Sequence, residues 1–212
     1  MEKAKVAFLL DKNNKWILSR LKKTKYKNII SAKIFWDLKK INNYDIVFII
    51  NYTKIITKKN LKKNQFNLVV HGSNLPKGKG FAPLQWQVLE NKKKITFSMI
   101  NIDEKVDNGD VVLKDELILN GLELYEELRD LQANKIFQMI NYVINMFPNI
   151  RQNKQKGKST FYRKRTILDS EIDINKSIKS QFNKLRVVNN EQWPAFFYYK
   201  KKKFVIKIFK DE

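Results

Sequence analysis

The chain has 212 residues, with 43 lysines and arginines against 21 acids and a formal charge of +22. That length builds one ordinary domain, or one domain with a small appendage, around a substantial core. Zero cysteines exclude disulfides and thiolate metal sites, and one histidine argues against a histidine-built zinc centre, so metal-free chemistry is expected.

In chain order, Val6 to Leu10 is a five-residue apolar run that reads as the first buried strand of a parallel sheet. A helix is expected from about Asn13 to Lys22, and no Gly-x-Gly-x-x-Gly dinucleotide fingerprint follows the strand. Lys27 to Ala32 reads as a second strand, Phe35 to Ile41 as a linking turn or short helix, and Asp45 to Asn51 as a third strand. Strands alternating with short helical links imply an α/β class with an open, mostly parallel, Rossmann-like sheet. Thr57 to Lys63 reads as a surface helix, and Leu68 to Val70 as a buried strand that delivers His71, the only histidine, onto a Gly-Ser turn.

Glycine and proline punctuate the next stretch at Gly78, Gly80 and Pro83, before a helical turn around Trp86 and Leu89 and a β-rich run from Ile95 to Ile102. Asp107-Asn108-Gly109-Asp110 is a tight turn, with Val111 to Leu119 a strand sent away from its predecessor. Leu124, Leu128, Leu131, Ile136, Ile140, Val143 and Phe147 keep helical spacing, and Pro148 fits a stop. Arg151 to Arg165 reads as a linker or ordered loop, Ile174 to Arg186 as a helix, and Trp193 to Tyr199 with Phe204 to Phe209 as a small β-hairpin. The division expected is a catalytic α/β unit over 1–150 and a helix-plus-hairpin appendage over 151–212.

Strand ends near Asp11, Asn51 and His71 should converge at one edge of the sheet, where such folds bind ligands. A lone imidazole and an aspartate, Asp107, on neighbouring loops are the minimum kit for positioned proton transfer. The structural alternatives are plain: a histidine that only packs, and a turn that Asp, Asn and Gly would form in any case.

The segment His71-Gly72-Ser73-Asn74-Leu75-Pro76, then Lys79-Gly80, Pro83 and Trp86, followed by Asp107-Asn108-Gly109-Asp110, resembles the H-x-S-x-L-P…G…P…W…D-x-G-D pattern of formyltetrahydrofolate-dependent formyltransferases. Phe161 to Arg165, Leu185-Arg186 and Trp193-Pro194-Ala195-Phe196 resemble the C-terminal part of methionyl-tRNA and sugar N-formyltransferases. The spacing V-V-H-x-S-x-L-P-x-G-x-G is closest to the branch acting on UDP-4-amino sugars on the way to pseudaminic acid.

The resemblance implies a formyltransferase fold and N10-formyltetrahydrofolate as cosubstrate, along Asn51, Tyr52, Asp107 and Gly109. His71, Asp107 and Ser73 would be the catalytic group. Lys77, Lys79, Trp193 and Phe196 would meet a nucleotide-linked amino sugar in glycan biosynthesis. A tRNA acceptor is disfavoured because the part from Glu171 onward is short for a tRNA-binding domain. Another acyl donor, formyltetrahydrofolate hydrolysis, or an idle binding protein on the same scaffold are the alternatives.

One position departs from the pattern. The family places an asparagine two residues before the histidine, and here that position is Val69. Asn67 lies on the same side of the strand but about 7 Å further back. Either Ser73, Asn74 or Asn51 supplies the missing group, or the site has lost strength.

No apolar run approaches the roughly 18 residues needed to span a bilayer, and the N-terminus lacks a signal-peptide pattern, so a cytoplasmic protein without membrane contact is expected. The lysine excess arrives with much Asn and Ile, residues over-used by AT-rich genomes. A solvated basic surface explains it first, and attraction of an anionic small substrate second. No nucleic-acid partner is expected; the oligomeric state is left open, a homodimer being one option.

Overall fold

The computed structural model describes residues 2–211 except Asn13, Thr53, Ile55, Glu104 and Lys105, and leaves out the side chains of Lys15 and Trp16. β1 (Ala4–Leu10) leads through α1 (Lys15–Lys23) to β2 (Ile29–Phe35), and a 3-10 turn at Leu38–Lys40 precedes β3 (Ile46–Ile50). α2 (Lys58–Leu61), β4 (Phe66–His71), the two-residue β5 (Lys79–Gly80), α3 (Pro83–Leu89), β6 (Lys94–Asn101) and β7 (Asp110–Ile118) follow, and then the long α4 (Tyr125–Met146). After it come β8 (Phe161–Tyr162), a 3-10 turn at Ile167–Ser170, α5 (Ile178–Arg186), β9 (Ala195–Tyr199) and β10 (Lys202–Ile206). Asn13, the residue expected to open the first helix, lies outside the described residues.

The main sheet has the order β2-β1-β3-β4-β6-β7. Its first four strands are parallel, and β6 and β7 add antiparallel. β3 is buried along its whole length, and β1 at all but Lys5, which is why these strands read as unbroken apolar runs rather than alternations. The expected open, mostly parallel α/β sheet is the observed one. β7 corrects the expectation of a strand leading away: it returns along β6 with Asn101 opposite Asp110. That pairing satisfies the β6 edge, which would otherwise carry unmet backbone groups.

One face of the sheet packs Phe8, Phe48, Leu68 and Phe97 against Ile17 of α1, Leu84 and Val88 of α3, and Ile136, Ile140 and Val143 of α4. The predicted α4 stripe is this buried face. Ala7, Leu9, Val47 and Ile49 look the other way, onto Leu38, Ile41 and Tyr44. Val69 and Tyr52 pack at the margin of that second cluster.

The segment after Pro148 does not run free of the sheet. Asn153 exchanges both backbone hydrogen bonds with Val111, at 2.7 and 2.9 Å, and β8 pairs with β5 in parallel. Further on, the Arg186 guanidinium of α5 donates to Glu123 Oε2 at 2.8 Å, with both side chains buried. Among the described residues, no helix is long and apolar enough to cross a membrane, and no cluster of His, Asp or Glu could hold a metal ion.

Candidate active site

β4 ends where Gly72-Ser73 turns the chain, and His71 is left at the strand end only 7% exposed. The loop beyond is tied down locally. Ser73 N–H donates to His71 O at 2.9 Å, Ser73 Oγ donates to Lys77 O at 2.8 Å, and Ser98 Oγ donates to Ser73 O at 2.7 Å. These bonds bring the chain back as β5 directly against the imidazole.

Two backbone groups of that segment then grip the pair of titratable residues. His71 Nε2 lies 2.8 Å from Gly78 O, and Gly80 N–H donates to Asp107 Oδ2 at 2.8 Å. His71 Nδ1 faces Asp107 Oδ1 at 3.4 Å. The ring therefore has a carbonyl acceptor on one nitrogen and a carboxylate on the other. Bonded to Gly78 O, Nε2 carries a proton, and the arrangement is matched by an imidazole that donates rather than accepts.

Gly80 has φ +96°, and a Cβ there would stand 2.4 Å from the carbonyl oxygen of Tyr162, so only glycine lets β5 approach β8 this closely. Gly109 is pinned for a different reason: a Cβ would lie 1.9 Å from Asn101 O. Asp107 itself takes φ 52°, a left-handed conformation that Asp tolerates better than most residues.

The other sequence-predicted residues are placed as follows. Lys79 is 5% exposed, and its ammonium donates to Asn108 Oδ1 at 3.0 Å, which ties it to the Asp107 turn rather than to the open groove. Lys77 is exposed and lines a cleft. Ser73 spends its hydroxyl proton on Lys77 O, and Asn74 Oδ1 accepts from Lys114 Nζ at 2.5 Å. Asn51 is exposed with φ 47°, its carbonyl accepting from Asn14 Nδ2 at 2.8 Å, while Tyr52 leans on the apolar cluster that also holds Val69. Asn67 is buried and donates to Leu61 O at 3.0 Å. None of these hydrogen bonds brings an amide to His71. Phe196 is 2% exposed, with the Lys203 ammonium 3.9 Å from its ring centroid, whereas Trp193 is 54% exposed at the β9 approach.

Three residues not foreseen as site residues belong to it. Thr160 Oγ1 accepts from Gly78 N–H at 2.8 Å, Thr160 O accepts from Lys79 N–H at 2.9 Å, and Tyr162 O accepts from Phe81 N–H at 3.1 Å, so β8 sets the strand that sets His71 and Asp107. Gln155 Nε2 donates to Asp107 O at 2.9 Å and to Gly109 O at 2.8 Å. The sequence signal for β8 is the β-branched and aromatic triplet Thr160-Phe161-Tyr162 after Gly157. Gln155 carries no periodic signal at all.

A cleft of about 540 Å³ is lined by Lys77, Gly78, Lys94, Thr96, Thr160 and Phe161 among others, and reaches the pair through Gly78, whose carbonyl holds His71. Because His71 stands opposite Ser98 in the β4–β6 ladder, the two side chains share a face, and Thr96, two residues along, shares it too. Imidazole and cleft are thus on one side of the sheet. The volume is that of a small-molecule site.

An open α/β sheet with a His–Asp pair at a strand end and a polar cleft on the same face places the protein in the Rossmann-like class. The chain belongs to the formyl transferase family, whose N-terminal domain model matches residues 4–137. Methionyl-tRNA formyltransferase of Rickettsia prowazekii is 32% identical over 178 residues, covering 82% of this chain and 57% of that protein. The chain spans just over half the length of the curated relatives it matches. Among solved structures, methionyl-tRNA formyltransferase from Clostridium thermocellum superposes with a TM-score of 0.76 at 21% identity, covering 100% of this chain and 94% of that one. A 4-N formyltransferase from Francisella tularensis superposes with a TM-score of 0.74 at 16% identity, covering 98% of both chains.

Proposed function

We propose that the chain transfers the formyl group of N10-formyltetrahydrofolate to the amine of a nucleotide-linked amino sugar, with a UDP-4-amino-4,6-dideoxy hexose the preferred class. The observation that carries the transfer reading is the His71–Asp107 pair, gripped by Gly78 O and Gly80 N–H within the family-matched region. The polar cleft on the same face supports a small phosphorylated acceptor, with Lys77 at its rim and Phe161, 71% exposed, offering a flat apolar surface.

The residues present fit a folate. Gln155 Oε1 is buried without a hydrogen-bond partner, beside the carbonyls of Asp107 and Gly109. An acceptor of that kind suits the N–H groups of a pterin. In the proposal the folate lies along Asn51, Tyr52 and the Asp107–Gly109 turn, and supplies the formyl group when bound.

The chain itself supplies charge management. Attack of a neutral amine on the formyl carbon would form a C–N bond and place negative charge on the formyl oxygen; as that charge returns to the carbonyl the bond to N10 would break, and the proton shed by the new ammonium would be taken up by N10. The Nε2–H of His71 is held by Gly78 O, and exchanging that acceptor for the oxyanion would supply a donor without loss of a proton. Asp107 faces Nδ1 and orients the ring. The oxyanion role is the one this geometry supports best.

A methionyl-tRNA acceptor is the second reading, favoured by the names of the curated relatives. Incubation with N10-formyltetrahydrofolate and a panel of UDP- and dTDP-amino sugars beside methionyl-tRNA, read by mass spectrometry, separates the two. A gain of one formyl group on a sugar is the expected result. Formylation of methionyl-tRNA alone would replace the sugar reading, and folate consumption with no formylated acceptor would favour hydrolysis.

A further inference from the structure

We propose that Gln155 is a positioning residue for the His71–Asp107 pair, acting from the polar segment beyond α4. Its amide nitrogen donates to both carbonyls that bracket Asn108, at 2.9 Å to Asp107 O and 2.8 Å to Gly109 O. One side chain thus fixes the peptide plane that follows Asp107 and the one that follows Gly109, and so holds the turn that carries the Asp107 carboxylate.

The turn needs such a clamp. Asp107 sits at φ 52°, off the conformations most side chains prefer, and Gly109 is pressed against Asn101 O. A carboxylate that must share its oxygens between Gly80 N–H and His71 Nδ1 tolerates little rotation of its own backbone. The clamp is itself anchored. Two residues before Gln155, Asn153 exchanges backbone hydrogen bonds with Val111, so the segment reaches the turn as an extension of the β7 edge. A second tie holds the turn from the other side, where Asn108 accepts from Lys79 and donates to Asp103 Oδ2 at 3.1 Å. Lys79 and Asn108 fix the tip; Gln155 fixes the carbonyls on either side of it.

The chain's single histidine permits a test that needs no substrate. Ring-nitrogen NMR of His71 is recorded for the wild type, Asp107→Asn, Gln155→Ala and Gln155→Glu at one pH, with backbone amide spectra and thermal midpoints as the check on fold. Gln155→Ala is expected to move the His71 ring signals in the direction that Asp107→Asn moves them, with amide signals away from the turn unchanged. Gln155→Glu keeps the size but replaces the donors with acceptors, and is expected to move them at least as far. In the Asp107→Asn background, Gln155→Ala should add little, because the group it positions is already altered. His71 signals that stay at wild-type positions in both Gln155 variants would overturn the proposal, as would equal, additive changes in the two backgrounds. The inference rests on the His71–Asp107 pairing and not on the acceptor, so its failure would leave the formyl-transfer reading standing.

Discussion

His71 Nε2 is 2.8 Å from the carbonyl oxygen of Gly78, a backbone group that β8 holds in place through Thr160. The Nε2–H of His71 is given to Gly78 O, and in the proposed role it passes from that carbonyl to the oxyanion, so removal of the imidazole should cost turnover more than stability. His71→Ala is expected to fold and to lose about 10²- to 10³-fold in turnover, the worth of one oxyanion donor. His71→Gln, whose amide nitrogen can occupy the region of Nε2, should retain more activity than His71→Ala. Equal losses in the two variants would transfer the role to proton exchange.

Asp107→Asn should act on turnover. An amide can still accept from Gly80 N–H, so the turn survives, but the carboxylate facing His71 Nδ1 is lost. Steady-state rates of the two proteins check this, and an unchanged rate would count against a working pair.

The parts of the molecule legible in the sequence are those where one physical demand dominates. β1 and β3 are buried on both faces, so Val6 to Leu10 and Ile46 to Ile50 could hardly be anything but central strands. His71 and Asp107 were visible because a strand-end histidine before Gly-Ser and a D-x-G-D turn are short, local patterns. Lys79, expected to meet the nucleotide-linked sugar, has its ammonium bonded to Asn108, since a lysine's sequence neighbours do not say whether its stem is covered. Gln155 and Thr160 were passed over inside an apparent linker because their work is done across long sequence separations, by polar groups with no period to betray them. β5 and β8, two residues each, are too short to carry an alternation.

The link between the two ends of the chain invites a stability test. Glu123 is buried, which pushes its carboxyl up, but the backbone N–H groups of Asn120 and Gly121 and the Arg186 guanidinium outweigh burial and leave it below the usual carboxylate value. Arg186→Met strands that charge, and breaking one partner of a buried pair costs about 3–5 kcal/mol. A fall in thermal midpoint of about 6–20 °C follows for a domain of this size. A midpoint within a degree or two of wild type would mean that water reaches the pair.

Asp169 offers a pH-dependent test. Its hydrogen bonds with Arg163 are the main cause of a carboxyl value lowered from 3.8 to about 2. Because the folded value lies below the unfolded one, the unfolded chain takes up the proton first as pH falls. The stabilisation is therefore complete above about pH 4 and is lost as the pH drops towards the folded value. Denaturation midpoints of wild type and Asp169→Asn should differ at neutral pH and converge across that window. Parallel curves down to the acid end would show that the pair contributes nothing through this carboxyl.

Val69→Asn tests the departure from the family pattern. Val69 packs at the edge of the cluster formed by Leu9, Val47 and Ile49; the Asn67 amide donates to Leu61 O and Asn74 Oδ1 accepts from Lys114. If His71 alone supplies the oxyanion donor, restoring the asparagine adds a second donor beside the first and should raise turnover tenfold or more towards the 10²- to 10³-fold that such a group is worth. If the site is instead adapted to an apolar residue, the new amide is buried without partners, at a cost of about 1–3 kcal/mol, and the rate stays flat. The first outcome is expected, since among the described residues no side-chain amide is hydrogen-bonded to the imidazole, whose partners are Gly78 O and Asp107. Turnover and thermal midpoint measured on the same preparations decide it: a faster variant fits a site missing one donor, whereas an unchanged rate with a lowered midpoint would return the task to another group.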